Sequence, residues 1–242
     1  MSTTITQGTD VETAYRGIKI RAGSNLHQEV FQLIVGLGLP SGGAALDVGA
    51  GEGAFSSRLL DQGFRVTASE LEPGRFQAPA PCLNLDLNRD FAGSVDQKFD
   101  LIVAMEIAEH LRDPRHLISE CLGLLKPTGT LIVSSPNVES WLSRIRFLRE
   151  GRFHWFDEAS YHSVGHITPI LSWQVAQICR EHGAEIARLV NTHNRYLFNK
   201  LGDNWLQRLL NKSFFLGALY PLMKGRRDGE VNIYIIKPLS PA

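Results

Sequence analysis

Residues 44–60, Ala44-Ala45-Leu46-Asp47-Val48-Gly49-Ala50-Gly51-Glu52-Gly53-Ala54-Phe55-Ser56-Ser57-Arg58-Leu59-Leu60, decide how the chain folds. The short apolar run Ala44–Val48 reads as a buried strand, and the stretch Ala54–Gln62 reads as a helix. Between them lie Gly49, Gly51 and Gly53. Without side chains they let the backbone turn sharply and let a ligand lie against bare peptide. Strand, glycine turn and helix in that order open a unit whose strands run parallel.

The same rhythm continues outward. Apolar runs at Arg65–Ser69, Cys82–Leu85, Leu101–Ala104, Thr130–Ser134, Ile186–Val190 and Val231–Ile236 bring the predicted strands to seven. Amphipathic stretches at Asn25–Leu39, Pro114–Leu125 and Pro169–His182 predict helices between or before them. The alternation implies an α/β, doubly wound, mostly parallel seven-stranded sheet covered on both faces. Asp228-Gly229 just before the last run predicts a turn that sends the final strand back antiparallel. Residues 25–242 read as a single domain behind a flexible N-terminal arm, residues 1–24. Insertions interrupt it near 137–168, rich in aromatic and polar residues and expected to carry function, and near 194–227, which is apolar.

With 242 residues, 43% of them hydrophobic, the chain can bury a full core as one domain. Lysine plus arginine equal aspartate plus glutamate at 25 each, so net charge gives no extended nucleic-acid footprint. Cys82, Cys121 and Cys179 lie far apart with no metal-ligand spacing, which suits a reducing, cytoplasmic setting. The opening MSTTITQGTDVETAYRG lacks the basic start and apolar run of a secretory signal. The apolar stretch Trp205–Met223 is interrupted by Arg208 and Lys212, and its longest clean run falls short of the roughly 20 residues a spanning helix needs. A lid, a dimer contact, or peripheral membrane contact through 205–227 with Lys224, Arg226 and Arg227 at the headgroups are its three readings.

The glycine turn alone leaves the ligand open, because Gly49, Gly51, Ala54 and the downstream Glu70 also fit a dinucleotide fingerprint. An NAD-dependent oxidoreductase on a Rossmann-like fold and a non-catalytic cofactor-binding protein therefore stand as alternatives. The charges favour something else. Asp47 and Glu52 repel a pyrophosphate and attract a ligand with an ammonium and a sulfonium group. Asp47 through Gly53, D-V-G-A-G-E-G, resembles the first motif, D/E-x-G-x-G-x-G, of the class I S-adenosylmethionine-dependent methyltransferases, and the resemblance runs from about Leu26 to Val190. It implies S-adenosyl-L-methionine held by Asp47, Gly49, Ala50, Gly51 and Gly53. It also implies ribose hydroxyls on Glu70 beside Leu71, adenine at Asp86 and Leu87, and Met105 lining the same site.

Beyond the fourth strand, Glu106-Ile107-Ala108-Glu109-His110 spells E-x-x-E-H, and on a helix the spacings i, i+3 and i+4 put Glu106, Glu109 and His110 on one face. The pattern resembles that of the ubiquinone-biosynthesis O-methyltransferases and the small-RNA 2′-O-methyltransferases, which use it to hold a divalent cation. The second group adds a histidine from beyond the fifth strand. Here His166, in a Gly165-His166-Ile167-Thr168 stretch read as opening the next helix, is the match. The resemblance implies Mg²⁺ or Mn²⁺ on Glu106, Glu109, His110 and His166, with Zn²⁺ also compatible. Without a metal, His110 or His166 is the candidate general base. In the 137–168 insertion, Trp155, Tyr161 and His162 are candidate acceptor contacts, while Trp141, Leu142, Ile145 and Leu148 read as the buried stripe of a short helix. The function expected is O-methylation, metal-assisted, of a hydroxyl on a small-molecule or glycan acceptor.

Overall fold

The computed structural model describes residues 11–23, 25–192, 206, 218, 220–225 and 228–239. Two short strands, β1 (Ala14–Tyr15) and β2 (Ile18–Lys19), form a hairpin, and helix α1 (Leu26–Val35) follows. The main sheet holds β3 (Ala44–Val48), β4 (Arg65–Glu70), β5 (Cys82–Asn84), β6 (Phe99–Ala104), β7 (Leu125–Pro136), β8 (Ala184–Asn191) and β9 (Val231–Pro238). Helices α2 (Ala54–Asp61), α3 (Pro114–Leu124), α4 (Trp141–Glu150), α5 (Glu158–Val164) and α6 (Ser172–Glu181) complete the chain order. The strands lie in the order β5-β4-β3-β6-β7-β9-β8, and β9 runs antiparallel to both its neighbours, as the Asp228-Gly229 turn predicts.

The central strands β3 and β6 are buried at every position, and apolar residues on both of their faces, not at alternate positions only, make that possible. In β3, Ala44, Leu46 and Val48 face one core with Ile102 and Ala104 of β6. Leu117, Ile118 and Cys121 of α3 and Val175, Ile178 and Cys179 of α6 cover that face. Ala45, with Leu101 and Val103, points the other way, where Leu26, Val30 and Ile34 of α1 and Phe55 and Leu59 of α2 cover it. The period of two along the strands meets the three-to-four spacing along the helices, and each fully buried leucine or isoleucine contributes about 1.5–3 kcal/mol. From β3 the chain proceeds to β4 and β5 on one side and then returns to β6 on the other, so the sheet's switch point lies between β3 and β6. A crevice opens at the carboxyl ends of strands at such a point.

Several expectations are corrected. The E-x-x-E-H segment is not an α-helix: only Ala108–His110 form a single 3-10 turn, and Glu106 before it has φ +50°. One tight turn spans three residues, so Glu106 is not on its face. Residues 165–168 do not open a helix, since α6 starts at Ser172. Within the N-terminal arm, residues 11–23 carry the β1–β2 hairpin. Arg16 and Gly17, both at positive φ, close the hairpin, and Tyr15 and Arg16 bind Asp61 while Glu12 binds Arg58. The stripe assigned to α4 holds at Trp141, fully buried, and fails at Leu148, 82% exposed, because the far end of α4 leaves the core. Most of the 194–227 insertion, with residues 1–10, lies outside the described residues.

Candidate active site

A cavity of about 580 Å³ occupies the crevice, bounded by the 49–55 turn, by residues 105–107 with His110, and by Trp155, Ser163, Val164 and His166. Its glycine turn follows from three left-handed residues, Gly49, Gly51 and Gly53, at φ +67°, +58° and +93°. Asp47, 2% exposed, accepts a hydrogen bond from Ser56 Oγ at 2.6 Å, and burial pushes its carboxyl up to about 6, with Glu70 adding repulsion. Gly49, Ala50, Gly51 and Met105 line the cavity beside Asp47. Gly53 does not; it packs under Phe76 and Ala78 and starts α2.

Glu70 ends β4 next door. Gly51 N–H donates to one of its carboxylate oxygens at 2.8 Å and Leu71 N–H to the other at 3.1 Å. Glu70 and Leu71 line a neighbouring groove of about 210 Å³ that shares Arg21, Gly51 and Glu52 with the main cavity. Asp86 and Leu87 line neither space. Asp86 accepts from Asn88 N–H and pairs with Arg89, and Leu87 is buried in the core.

Past β6, Glu106 N–H donates to Ser134 Oγ, and that hydroxyl donates back to Glu106 Oε1, both at 3.0 Å. Burial raises the Glu106 carboxyl to about 7. Glu109 is wholly buried, and neither of its carboxylate oxygens has a hydrogen-bond partner. Burial, reinforced by Glu106, holds its pKa well above the carboxylate range. Segment 165–168 is laced onto this turn: Ile167 and Thr168 N–H both donate to Glu109 O, and Thr168 Oγ1 donates to Leu111 O. That lacing brings the His110 and His166 rings to 5.0 Å, with Nδ1 of His110 donating to Gly165 O and Nδ1 of His166 to Trp155 O. Carbonyls only accept, so each Nδ1 carries a proton and each Nε2 keeps a lone pair. Burial lowers both imidazole pKa values.

Of the four expected metal ligands, Glu109, His110 and His166 each offer a ligand atom within 4.8 Å of the others, and Glu106 stands apart on Ser134. Trp155 lines the cavity, whereas Tyr161 and His162, on α5, do not; Tyr161 is 57% exposed. The cavity wall also includes Lys19, Arg21, His27 and Glu230, none of which was singled out from sequence. His27 left a faint signal, a polar residue beside the buried positions Leu26, Val30 and Ile34. Lys19 and Arg21 left none.

A seven-stranded sheet with a reversed last strand, an acidic glycine turn after its first strand and a carboxylate ending the next define the class I methyltransferase architecture. A family model described as "Methyltransferase domain" matches residues 22–189, and the chain belongs to that methyltransferase-domain family. The chain is 25% identical over 169 residues to the ubiquinone biosynthesis O-methyltransferase of Rhodopseudomonas palustris (strain TIE-1), covering 66% of this chain and 64% of that protein. It is 37% identical over 106 residues to the enzyme of that name in Xylella fastidiosa (strain 9a5c), covering 40% and 43%. The match thus spans less than two thirds of these relatives' length. Among solved structures, a SAM-dependent methyltransferase from Archaeoglobus fulgidus has TM-score 0.57 at 18% identity, covering 87% of this chain and 93% of that one. Magnesium protoporphyrin IX methyltransferase from Synechocystis PCC 6803 with bound S-adenosylhomocysteine has TM-score 0.57 at 16% identity, covering 88% and 81%. Both likenesses are of fold. Among the described residues no helix is long and apolar enough to cross a membrane.

Proposed function

We propose that the chain methylates a hydroxyl oxygen of a small-molecule acceptor, sugar hydroxyls included, with a divalent cation held by Glu109, His110 and His166. The observation that carries this is Glu109: a fully buried carboxylate with both oxygens unpartnered, within 4.8 Å of ligand atoms on two neutral imidazoles. An ionised carboxylate in that position is costly unless a cation pairs with it. The residues fit such an ion, and one carboxylate with two imidazoles suits Mn²⁺ better than Mg²⁺, which prefers oxygen throughout. When bound, the cation supplies Lewis acidity that lowers the pKa of a hydroxyl. The two Nδ1–H groups, anchored on backbone carbonyls, fix the ring orientations from outside. The name shared by the two curated relatives supports oxygen as the atom methylated.

S-Adenosylmethionine supplies the methyl group. Asp47 and the 49–51 backbone face its methionine end, and Glu70 takes the ribose. That carboxylate uses one lone pair on each oxygen for Gly51 and Leu71 N–H and keeps the others for two hydroxyls. Trp155 at the cavity wall gives the acceptor an apolar surface. His166, with its Nε2 lone pair and lowered pKa, accepts the hydroxyl proton if no metal is used.

Calorimetric titration with S-adenosylhomocysteine tests the cofactor half: micromolar binding to the intact chain, lost in Asp47→Ala and Glu70→Ala. Thermal unfolding with Mn²⁺ tests the metal half. The ion should raise Tm in the intact chain and in Glu70→Ala but not in Glu109→Gln or His166→Ala. A chain that binds S-adenosylhomocysteine and ignores Mn²⁺ refutes the metal.

A further inference from the structure

Among the described residues four other than glycine have a left-handed backbone: Arg16, Asn25, Glu106 and Trp155, at φ +50°, +63°, +50° and +67°. Arg16 closes the hairpin and Asn25 precedes α1, places where a tight turn or a helix start calls for that conformation. Glu106 and Trp155 stand at neither, and both line the cavity. For a side chain as bulky as tryptophan a positive φ is a costly outlier that persists only where its surroundings over-determine it. The surroundings here do so. His154 N–H, one residue earlier, donates to Ser143 Oγ of α4 at 3.0 Å. Arg146 of α4 donates through Nη2 to Asp157 at 2.6 Å and lies 3.4 Å from His154 Nδ1, so one guanidinium braces both ends of the 154–157 segment. Phe147 of α4 also stacks on Phe153 at 4.8 Å.

Trp155 presents two groups at once. Its indole, in the cavity wall, has its ring 6.4 Å from that of His166, and its carbonyl accepts from His166 Nδ1 at 3.0 Å. We propose that Trp155 is the positioning residue of His166: its left-handed backbone, braced by Arg146, aims the carbonyl that holds the proton on Nδ1 and so keeps Nε2 as the lone pair of the ring. The inference rests on the role given to His166 above and concerns what orients it. With His154 pinned on Ser143, rotating Trp155 to an ordinary φ would swing the indole and the carbonyl together out of their places. His166 would lose that acceptor, and free histidine favours the proton on Nε2, which leaves no lone pair there for a proton or a cation. His110 shows the contrast. Its Nδ1 donates to the carbonyl of Gly165, at φ +79°, where glycine takes the left-handed form without a steric penalty. A glycine at 155 would serve the carbonyl equally well. Tryptophan there is explained by its second task, the wall that the acceptor meets, and one residue thereby keeps that wall and His166 in fixed relation.

The tautomer of His166 decides it. Metal-free protein labelled with nitrogen-15 in its histidines, mildly alkaline so that the rings are neutral, reports each tautomer by nuclear magnetic resonance, and His166→Gln identifies the signals of His166 by their loss. The intact chain and Trp155→Gly should show His166 protonated on Nδ1. Trp155→Val, whose branched side chain resists a positive φ, and Arg146→Met should move that proton to Nε2 in most molecules. Signals of His116 on α3 and His182 just past α6 report that a variant is folded. A proton on Nε2 in the intact chain, or on Nδ1 in Trp155→Val, overturns the proposal. Loss in Trp155→Gly as complete as in Trp155→Val assigns the effect to the indole and overturns it too. Retention of Nδ1–H in Arg146→Met overturns the brace, and that variant decides alone if Trp155→Val does not fold. The Mn²⁺ response is read separately: an intact chain with Nδ1–H and no response to the ion keeps Trp155 as the positioning residue of a general base and loses the cation.

Discussion

Asp47 is a residue whose placement at the cavity costs the fold stability. Its carboxyl is buried, held by one hydroxyl and faced by Glu70, and its pKa stands at about 6. A carboxyl raised above its unfolded value, about 3.9, binds its proton more tightly in the native state. Stability is therefore greatest below about pH 4, falls as pH rises toward 6, and stays reduced above. A shift near two units corresponds to about 3 kcal/mol at most. Ligand-free Asp47→Asn should accordingly melt above the parent at pH 8, lose that advantage as pH approaches 4, and bind S-adenosylhomocysteine more weakly at either pH. A gain that grows on acidification would show that burial does not govern this group. The place of Asp47 was legible because its neighbours in sequence, Gly49, Ala50 and Gly51, are its neighbours in the cavity. His27 was not, since nothing local distinguishes a histidine that meets a cavity from one packed in a helix stripe.

At the scale of elements, the three glycines of the turn are not equivalent. A Cβ on Gly51 would meet nothing within 4 Å, whereas on Gly53 it would lie 2.7 Å from Phe76 Cε2 and 2.9 Å from Ala78 Cβ. Both have positive φ. Gly51→Ala should cost about 1 kcal/mol, the backbone strain alone, and Gly53→Ala about 3 kcal/mol once overpacking is added. Urea unfolding with unchanged m-values measures both, and similar costs would mean that the packing under α2 yields freely. Strands and long helices were legible because apolar periodicity persists over several residues. The 105–110 segment was misread as an α-helix because E-x-x-E-H has helical spacing. Its geometry is set instead by Ser134 bonding Glu106 and by Ile167 and Thr168 N–H bonding the Glu109 carbonyl.

For the whole molecule, the hairpin is the part whose importance composition conceals. It covers Ala54 and Ala78 with Ile18 and gives the buried Arg58 its carboxylate, Glu12. Deleting residues 1–22 should leave the far-ultraviolet circular dichroism of the sheet in place and lower Tm by several degrees through the orphaned Arg58. An unchanged Tm would make the hairpin an ornament of the fold.

The order of strands and helices, the antiparallel last strand and the acidic glycine turn were determined by the sequence itself, since each depends on periodicity or turn chemistry within a few residues. Tertiary structure alone decided that Glu109, not Glu106, joins His110 and His166, that Asp86, Tyr161 and His162 stay outside the cavity, and that Arg21 and His27 enter it. Those placements bring distant segments of the chain to one cavity, as with His27 and His166, 139 residues apart, which both line it, and they are set by how the layers pack. No local pattern encodes that distance.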